Sequence, residues 1–439
     1  MPIAYDATRL FLGPLSLTPR GIDRVELAYA RHFFQDSREE CCALLPTAWG
    51  VRAFPRERVL RGLTRLEELW SENKRHDEDE AWRHLKLRLQ GQAVPLRRPP
   101  GSSLALAQRM TSLLRATGFE WGDSVVDALK PGTVYVNVGQ IGLAFPLLLR
   151  WLDRRPDIRP IFMLHDVIPL ETPEYVSATA AKGHSAMVDQ TARRAAGVIV
   201  TTRTAQAAVQ AELGRRGAHA LPTLALPLPV PTLFRESPDP EPALAGIAYF
   251  VVCGAIEPRK NHAMLLEVWK RLHRKLGPST PHLVVAGASG WQGQQIRDGM
   301  QRSGAVSAHI HIVSGLSTPA LKRLISGALA LLMPSFIEGF GLPVVEAASL
   351  GTPVVASDIP AHREVAHPAT VFVDPIDGPG WEKAILRFLD DDAAPIRLSR
   401  EFSPYTWGEY FASLSSFIQT IERDDRPQRA LPSVKKTVG

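Results

Sequence analysis

The sequence predicts an α/β protein made of two doubly wound units, and three observations carry that prediction. Short apolar strands alternate with helical segments in both halves of the chain, the pattern of parallel strands joined by crossover helices. A stretch over residues 221–242 holds Pro222, Pro227, Pro229, Pro231, Pro238, Pro240 and Pro242, which suits a semi-extended connection between domains. The 439 residues also exceed what one ordinary hydrophobic core accommodates.

In chain order, residues 3–7 read as a strand and are followed by a loop with Pro14, Pro19 and Gly21. Ile22, Val25, Tyr29 and Phe33 then place one apolar face on a helix over 22–34. Gly21 stands where the backbone can approach a ligand at that helix's N-terminus. Residues 134–138 and 161–164 read as buried strands with helical material at 145–152 between them; 197–201 is a further strand and 203–213 a helix. The expected first unit is therefore 1–235, with 236–245 as linker. The alternation restarts with strands at 248–252, 282–286, 309–313 and 330–333 and helices at 263–276 and 319–327, giving a second unit over 246–400. Residues 401–422 form an amphipathic helix whose Tyr405, Trp407, Tyr410, Phe411, Leu414 and Phe417 demand a partner surface. The polar stretch 423–439 reads as a disordered tail.

Composition narrows the class. An apolar fraction of 45% with 22% charged residues is that of a globular protein, and no apolar run approaches the ~20 residues that span a bilayer. A cytoplasmic protein is expected. Cys41, Cys42 and Cys253 have neither disulfide-framework nor metal-ligand spacing, and no residue is assigned to a metal. Most of the net charge of +6 arises between residues 51 and 120, where 14 Lys and Arg face 9 Asp and Glu. This basic helical insertion interleaves its charges with Leu60, Leu63, Leu66, Leu69 and Trp70 at helical spacing. It reads either as an ordinary solvated face or as an amphipathic surface for an anionic inner membrane. No recognition motif accompanies the charge, so nucleic acid is not expected as a partner.

The chemistry concentrates in the second half. The segment S-F-I-E-G-F-G-L-P-V-V-E places Glu338 in a loop and Glu346 in the first turns of a helix starting near Pro343. Gly351 ends that helix and 353–357 is a strand. The free N–H groups around Gly339, Phe340, Gly341 and Leu342 form a helix N-terminus suited to phosphate. Two carboxylates, which only accept hydrogen bonds, add a preference for hydroxyl donors. The combination points to a nucleotide sugar. Gly254 ends the strand before E-P-R-K-N-H, and Arg259 and Lys260 follow at the same strand-end edge, a planar fork beside a mobile point charge for a diphosphate. Gly287 and Gly290, after another strand, join that rim. In the first half, strand 161–164 runs into His165 and Asp166, at the strand ends where open α/β sheets hold ligands.

These segments together, P-S-F-I-E-G-F-G-L-P-V-V-E-A, G-T-P-V-V-A-S-D with the following E-V, G-A-I-E-P-R-K-N-H and H-D-V-I-P-L, resemble a known family. It is the retaining glycosyltransferases of family 4, the glycosyl transferases of group 1, which include bacterial mannosyltransferases and sucrose synthase. The resemblance covers most of residues 3–421. It implies the GT-B fold, with two Rossmann-like domains facing across a cleft, the nucleotide sugar on the C-terminal one and the acceptor mostly on the N-terminal one. The last helix is expected to cross back to the first domain. Carried over by motif, Glu338 holds hydroxyls of the donor sugar and Glu346 those of the ribose. Gly339 to Leu342 offer amides, Arg259 and Lys260 meet the diphosphate, and His165 approaches the sugar from the opposite domain. Three departures stand out: Arg20 precedes Gly21 where the family often has paired glycines, Thr202-Arg203 replaces a usual serine, and the basic stretch before Glu120 is long.

The expected activity is transfer of a hexose, mannose first, from a nucleoside-diphosphate sugar to a glycan or lipid-linked oligosaccharide in bacterial polysaccharide assembly. GDP-mannose is the first donor guess, no metal or other cofactor is expected, and the site of action is the cytoplasm or the cytoplasmic membrane face. A non-catalytic nucleotide-sugar-binding module and a GT-B sugar-nucleotide epimerase are the alternatives.

Overall fold

A computed structural model of the chain describes residues 2–12, 21–71, 79–92, 111, 114–115, 117–390, 402 and 405–423. Two sheets organise it. The first contains β1 (Ile3–Asp6), β2 (Cys41–Thr47), β3 (Gly50–Pro55), β4 (Asp123–Ser124), β5 (Val134–Asn137), β6 (Arg159–Met163), β7 (Gly197–Val200) and β8 (Thr223–Ala225). Its strand order is β4-β3-β2-β1-β5-β6-β7-β8. Pairing is parallel from β2 through β8, while β3 and β4 extend the edge antiparallel. The second contains β9 (Tyr249–Cys253), β10 (His282–Ala286), β11 (Ile310–Val313), β12 (Leu331–Met333), β13 (Val354–Ser357) and β14 (Val371–Val373). It is parallel throughout, in the order β11-β10-β9-β12-β13-β14.

Strands β1, β5, β9, β12 and β13 are buried at every residue, which follows from helices covering both faces of a parallel sheet. The strand order reverses between β1 and β5 in the first sheet and between β9 and β12 in the second. At such switch points the chain leaves neighbouring strands in opposite directions and a crevice opens outside their carboxyl ends. The β2–β3 hairpin was not visible in the sequence reading. Cys41-Cys42-Ala-Leu-Leu-Pro shows no alternation, because β2 lies between covered faces, and β3 falls at the head of the basic stretch.

That basic stretch does not offer an apolar face to a membrane along its described helices. The Arg56–Ser71 helix turns Val59, Leu63 and Leu66 into the core of the first unit. The guanidinium of Arg56 closes carbonyls of Phe33, Phe34 and Ser37, at 3.1, 3.2 and 2.9 Å. The Glu80–Leu89 helix leaves its own unit and packs Trp82, Leu85 and Leu89 against Val313 and Leu324 of the second. Asp79 caps it by accepting from the Trp82 amide at 3.0 Å, and its other oxygen accepts from Ser317 N at 2.7 Å. One aspartate thus ties two helix N-termini together. The described apolar residues of both stripes pack inside the protein.

The Trp407–Arg423 helix returns to the first unit, as its aromatic face requires. Tyr410, Phe411, Leu414, Ile418 and Ile421 enter the core that holds Tyr29 and Phe33. The Tyr29 and Tyr410 hydroxyls bond at 2.8 Å, and Arg159 donates to the Ile421 carbonyl. The expected tail from 424 onward lies outside the described residues. No helix among the described residues is long and apolar enough to cross a membrane.

Candidate functional site

The second sheet builds the site at its switch point. After β9 the backbone turns through Gly254 at φ +136°, and a β-carbon there would lie 3.3 Å from the Lys260 side chain. A single 3₁₀ turn, Pro258–Lys260, then presents both cations. Asn261 follows in the left-handed region at φ +57°, and its amide donates to the carbonyls of Pro334 (3.1 Å) and Pro375 (2.8 Å). Phe336 N donates to Arg259 O at 2.9 Å. The loop after β9 is therefore stitched to the loop after β12, which brings Arg259 and Lys260 to Glu338 across 78 residues of sequence.

Glu338 receives Arg259 Nη1 at 3.0 Å, the Lys260 ammonium and the Ser335 hydroxyl at 2.7 Å. Burial alone would raise its carboxyl, but Lys260 and Arg259 outweigh that and hold it at about 2. Burial draws the Lys260 ammonium below its ordinary range, opposed by Glu338. Glu257 also accepts from Arg259 Nε at 3.2 Å, so the two cations are matched by two carboxylates in an ionised, largely buried cluster.

The Leu342–Ser349 helix starts beside it. Its N-cap, Gly341, adopts φ +94° and supplies no side-chain cap. Pro343 has no N–H and the Val344 amide donates to Gly341 O at 2.9 Å, which leaves the Leu342 amide as the helix's free first-turn donor. His362 packs behind Gly341, 3.1 Å from where a β-carbon would stand, and bonds Ser357 O through Nδ1 at 3.0 Å. Phe340 turns into the core. Gly254 and Gly287 use their amides within the sheet edge. The Gly287 amide donates to Val313 O at 2.9 Å and the Gly254 amide to Ala286 O at 3.1 Å, so neither N–H is left for a phosphate. A β-carbon on Gly287 would come within 1.7 Å of Gly254 O. Their role is to let two loops pass in contact beneath Lys260.

The first unit closes over this edge. His165 follows β6, and its Nε2 is buried without a partner among the described residues. Burial lowers its imidazole to about 4, opposed by a hydrogen bond to the Val138 backbone, so it is neutral at pH 7 and its unpartnered Nε2 is left to accept one hydrogen bond. Thr201 and Thr202 donate their hydroxyls to the Gly339 carbonyl at 3.0 and 3.1 Å, and a β-carbon on Gly339 would meet Asp166 at 2.8 Å. Tyr175 stacks on Phe336 with centroids 5.6 Å apart. Glu364 of the second unit accepts from the amides of Arg203 (2.6 Å) and Thr204 (3.1 Å), at the start of the Arg203–Arg215 helix. Gly21 opens the Gly21–Arg31 helix against Leu342 of the second unit. One turn in, Arg24 Nη1 donates to Glu346 at 2.7 Å. Burial raises the Glu346 carboxyl, and Arg24 opposes it.

All the predicted site residues thus lie on or directly beneath one rim, His165 from one sheet and the rest from the other and the Gly21 helix. Sequence reasoning missed Arg24, Asn261, His362, Glu364 and the hydroxyls of Thr201 and Thr202. Arg24 stands in the G-I-D-R-V element and Glu364 in the E-V pair, yet nothing local announces a partner hundreds of residues away. Chemically, the cluster offers two cations and a helix N-terminus to an anion, carboxylates to hydroxyl groups, and a neutral imidazole from the facing side. Among the described residues no group of three or more His, Cys, Asp or Glu side chains is arranged to hold a metal ion.

Residues 236–406 match the family model described as glycosyl transferases group 1. The chain is 34% identical over 150 residues to O-antigen chain mannosyltransferase B of Escherichia coli, a match covering 34% of this chain and 39% of that protein. Over 142 residues it is 34% identical to O-antigen chain mannosyltransferase RfbU of Salmonella typhimurium, covering 31% and 37%. The chain thus spans about two fifths of the length of these relatives. Among solved structures, HepE of Anabaena in complex with UDP-glucose superposes with a TM-score of 0.57 at 14% identity, covering 96% of this chain and 98% of that one. Sucrose-phosphate synthase of Thermosynechococcus elongatus gives 0.55 at 17% identity, with 96% and 94% covered. These likenesses extend over both units and show the GT-B fold.

Proposed function

Since residues 236–406 belong to the glycosyl transferases of group 1, we propose that the chain transfers a hexose from a nucleoside-diphosphate sugar to a glycan or lipid-linked oligosaccharide, with retention at the anomeric carbon. The observation that carries this reading is the Glu338 cluster at the switch point, with Arg259 and Lys260 on one carboxylate and a free helix N-terminus beside them. A sugar diphosphate satisfies all of these at once. Its phosphates meet the two cations and the Leu342 amide, and its hydroxyls meet Glu338.

When the bond from the anomeric carbon to the phosphate oxygen breaks, negative charge grows on the departing diphosphate. Lys260, Arg259 and the Leu342 amide at the Leu342–Ser349 N-terminus stand ready for it, and such preorganised stabilisation is the largest catalytic effect we assign. The acceptor hydroxyl attacks the same face and gives its proton to the leaving phosphate oxygen. No general base is required, and the charge on the leaving group is met without a metal. Neutral His165 is placed to accept through Nε2 from a sugar hydroxyl, from the opposite unit. The two mannosyltransferases above favour mannose, with GDP-mannose as donor, in polysaccharide assembly. A lipid-linked acceptor would bring the protein to the cytoplasmic membrane face, where the basic sides of the Arg56–Ser71 and Glu80–Leu89 helices are the surface to test by flotation with anionic liposomes.

The decisive experiment is a panel of GDP-, UDP- and dTDP-sugars assayed by thermal shift and by release of nucleoside diphosphate. One nucleotide sugar is expected to raise the melting temperature by mass action and to be hydrolysed slowly without acceptor. A panel in which none binds or reacts would refute the reading.

A further inference from the structure

Arg24 belongs to the first unit, yet its only bonded partner among the described residues is Glu346 of the second. Its side chain is 18% exposed and that of Glu346 3%. Of the five N–H donors of a guanidinium, Nη1 alone is engaged there, and Nε is buried without a partner. Phe234 lies 5.9 Å beneath the guanidinium carbon and limits where it can move. The charge of Arg24 therefore sits inside the closed cleft and is only partly satisfied.

Two further observations say what could complete it. The Gly21–Arg31 and Leu342–Ser349 helices meet start to start, since a β-carbon on Gly21 would touch the Leu342 side chain at 3.5 Å. Helix N-termini carry partial positive charge and favour anions, and here Asp23 and Glu346 supply part of that negative charge. The thiol of Cys253 at the end of β9 also feels Glu346, Lys260 and Arg24 together. The guanidinium thus shares its surroundings with the ammonium already assigned to the diphosphate.

We propose that Arg24 is a donor-site residue supplied by the N-terminal unit, which moves from Glu346 to the diphosphate when the ribose hydroxyls take Glu346. The inference rests on the donor-site reading above. In the empty protein Arg24 opposes the protonation that burial favours at Glu346 and links the two units. On donor binding, Glu346 changes from an ion-pair acceptor to a hydroxyl acceptor, and the released guanidinium adds a third positive side chain at the leaving group. The residue that joins the two units in the empty protein then completes the phosphate site.

The test compares wild type, Arg24→Ala and Arg24→Lys for binding of GDP, UDP and dTDP and of the three corresponding nucleosides by titration calorimetry and ligand-observed NMR, alongside steady-state kinetics. Losing one charge-assisted contact predicts that Arg24→Ala binds the preferred nucleoside diphosphate about 10- to 100-fold more weakly. Its affinity for the nucleoside should be unchanged or higher, since Glu346 is then free for the ribose. Arg24→Lys should recover part of the diphosphate affinity and of kcat. If Arg24 is only a clasp between units, Arg24→Ala will bind diphosphate as tightly as wild type or more tightly, and the proposal falls. It falls equally if nucleoside and diphosphate affinities drop together, since that marks structural damage. Failure of wild type to bind any of the diphosphates would instead overturn the donor-site reading itself.

Discussion

Replacing Glu338 by glutamine removes the one negative charge shared by Arg259 and Lys260 while keeping the shape of the site. A carboxyl brought from its ordinary 4.5 to about 2 links about 3 kcal/mol of folding free energy to its ionisation. Because its value in the folded state is depressed, this stability is fully present above about pH 4.5 and is lost as the pH falls through 2. At pH 7, Glu338→Gln should therefore lose about 3 kcal/mol, equivalent to about 6–12 °C in the melting temperature of a domain of this size. Toward pH 2 the difference from wild type should shrink. The cations freed by the substitution are the groups assigned to the diphosphate. Nucleoside diphosphate should consequently raise the melting temperature of the variant more than that of wild type, while sugar transfer falls by about 10²-fold or more because the sugar hydroxyls have lost their acceptor. Melting curves at pH 7 and pH 3, with and without nucleoside diphosphate, provide the measurement. A variant melting within about 2 °C of wild type at pH 7, or gaining less from nucleoside diphosphate, would refute the charge assignment of the cluster.

Lys260→Ala should lower kcat/KM for the donor by about 10²-fold or more, the scale for loss of one charge-stabilising donor; steady-state rates within a few-fold of wild type would dismiss its role. His262 is fully buried, with both ring nitrogens unpartnered among the described residues, and burial lowers it to about 4. Its neutral form is favoured by folding, so the stability it carries is present above pH 6.5 and lost as pH falls through 4. His262→Leu should reduce the loss of stability between pH 7 and pH 5 by about 2 kcal/mol, read from urea unfolding at both values. Trp82→Ala should cost about 3–5 kcal/mol and increase protease cleavage within residues 79–92, checked by limited proteolysis.

The alternation of strands and helices was legible because the parallel strands are mostly apolar, with polar residues such as Asp6, Asn137, Arg159 and His282 at strand ends, and the longer helices carry an apolar stripe. The strands at 248–252, 282–286 and 330–333 lie within a residue or two of β9, β10 and β12. Glu338, Arg259 and Lys260 were legible for another reason: they follow strand ends, and strand ends in one parallel sheet share an edge. What could not be read were partnerships set by the closure of two units. Thr201 and Thr202 lie at an unremarkable helix start and Glu364 near the end of the short Pro360–Val365 helix, and their meaning comes from the opposite surface. The same limit hid the fate of the Glu80–Leu89 helix. Its amphipathic pattern shows that a face must be covered, whereas the choice between lipid and protein is made by a surface some 230 residues later.

That helix also constrains how the protein is made. Trp82, Leu85 and Leu89 leave the ribosome long before Val313 and Leu324, and at about 5–20 residues per second the interval is roughly 10–50 s. Throughout that time the indole of Trp82, 1% exposed in the finished molecule, has no socket. The second unit, expressed alone, would lack the helix that covers it. A gene fragment cut at the apparent linker should therefore yield two sticky halves, and supplying a peptide of residues 79–92 to the second half should restore its solubility.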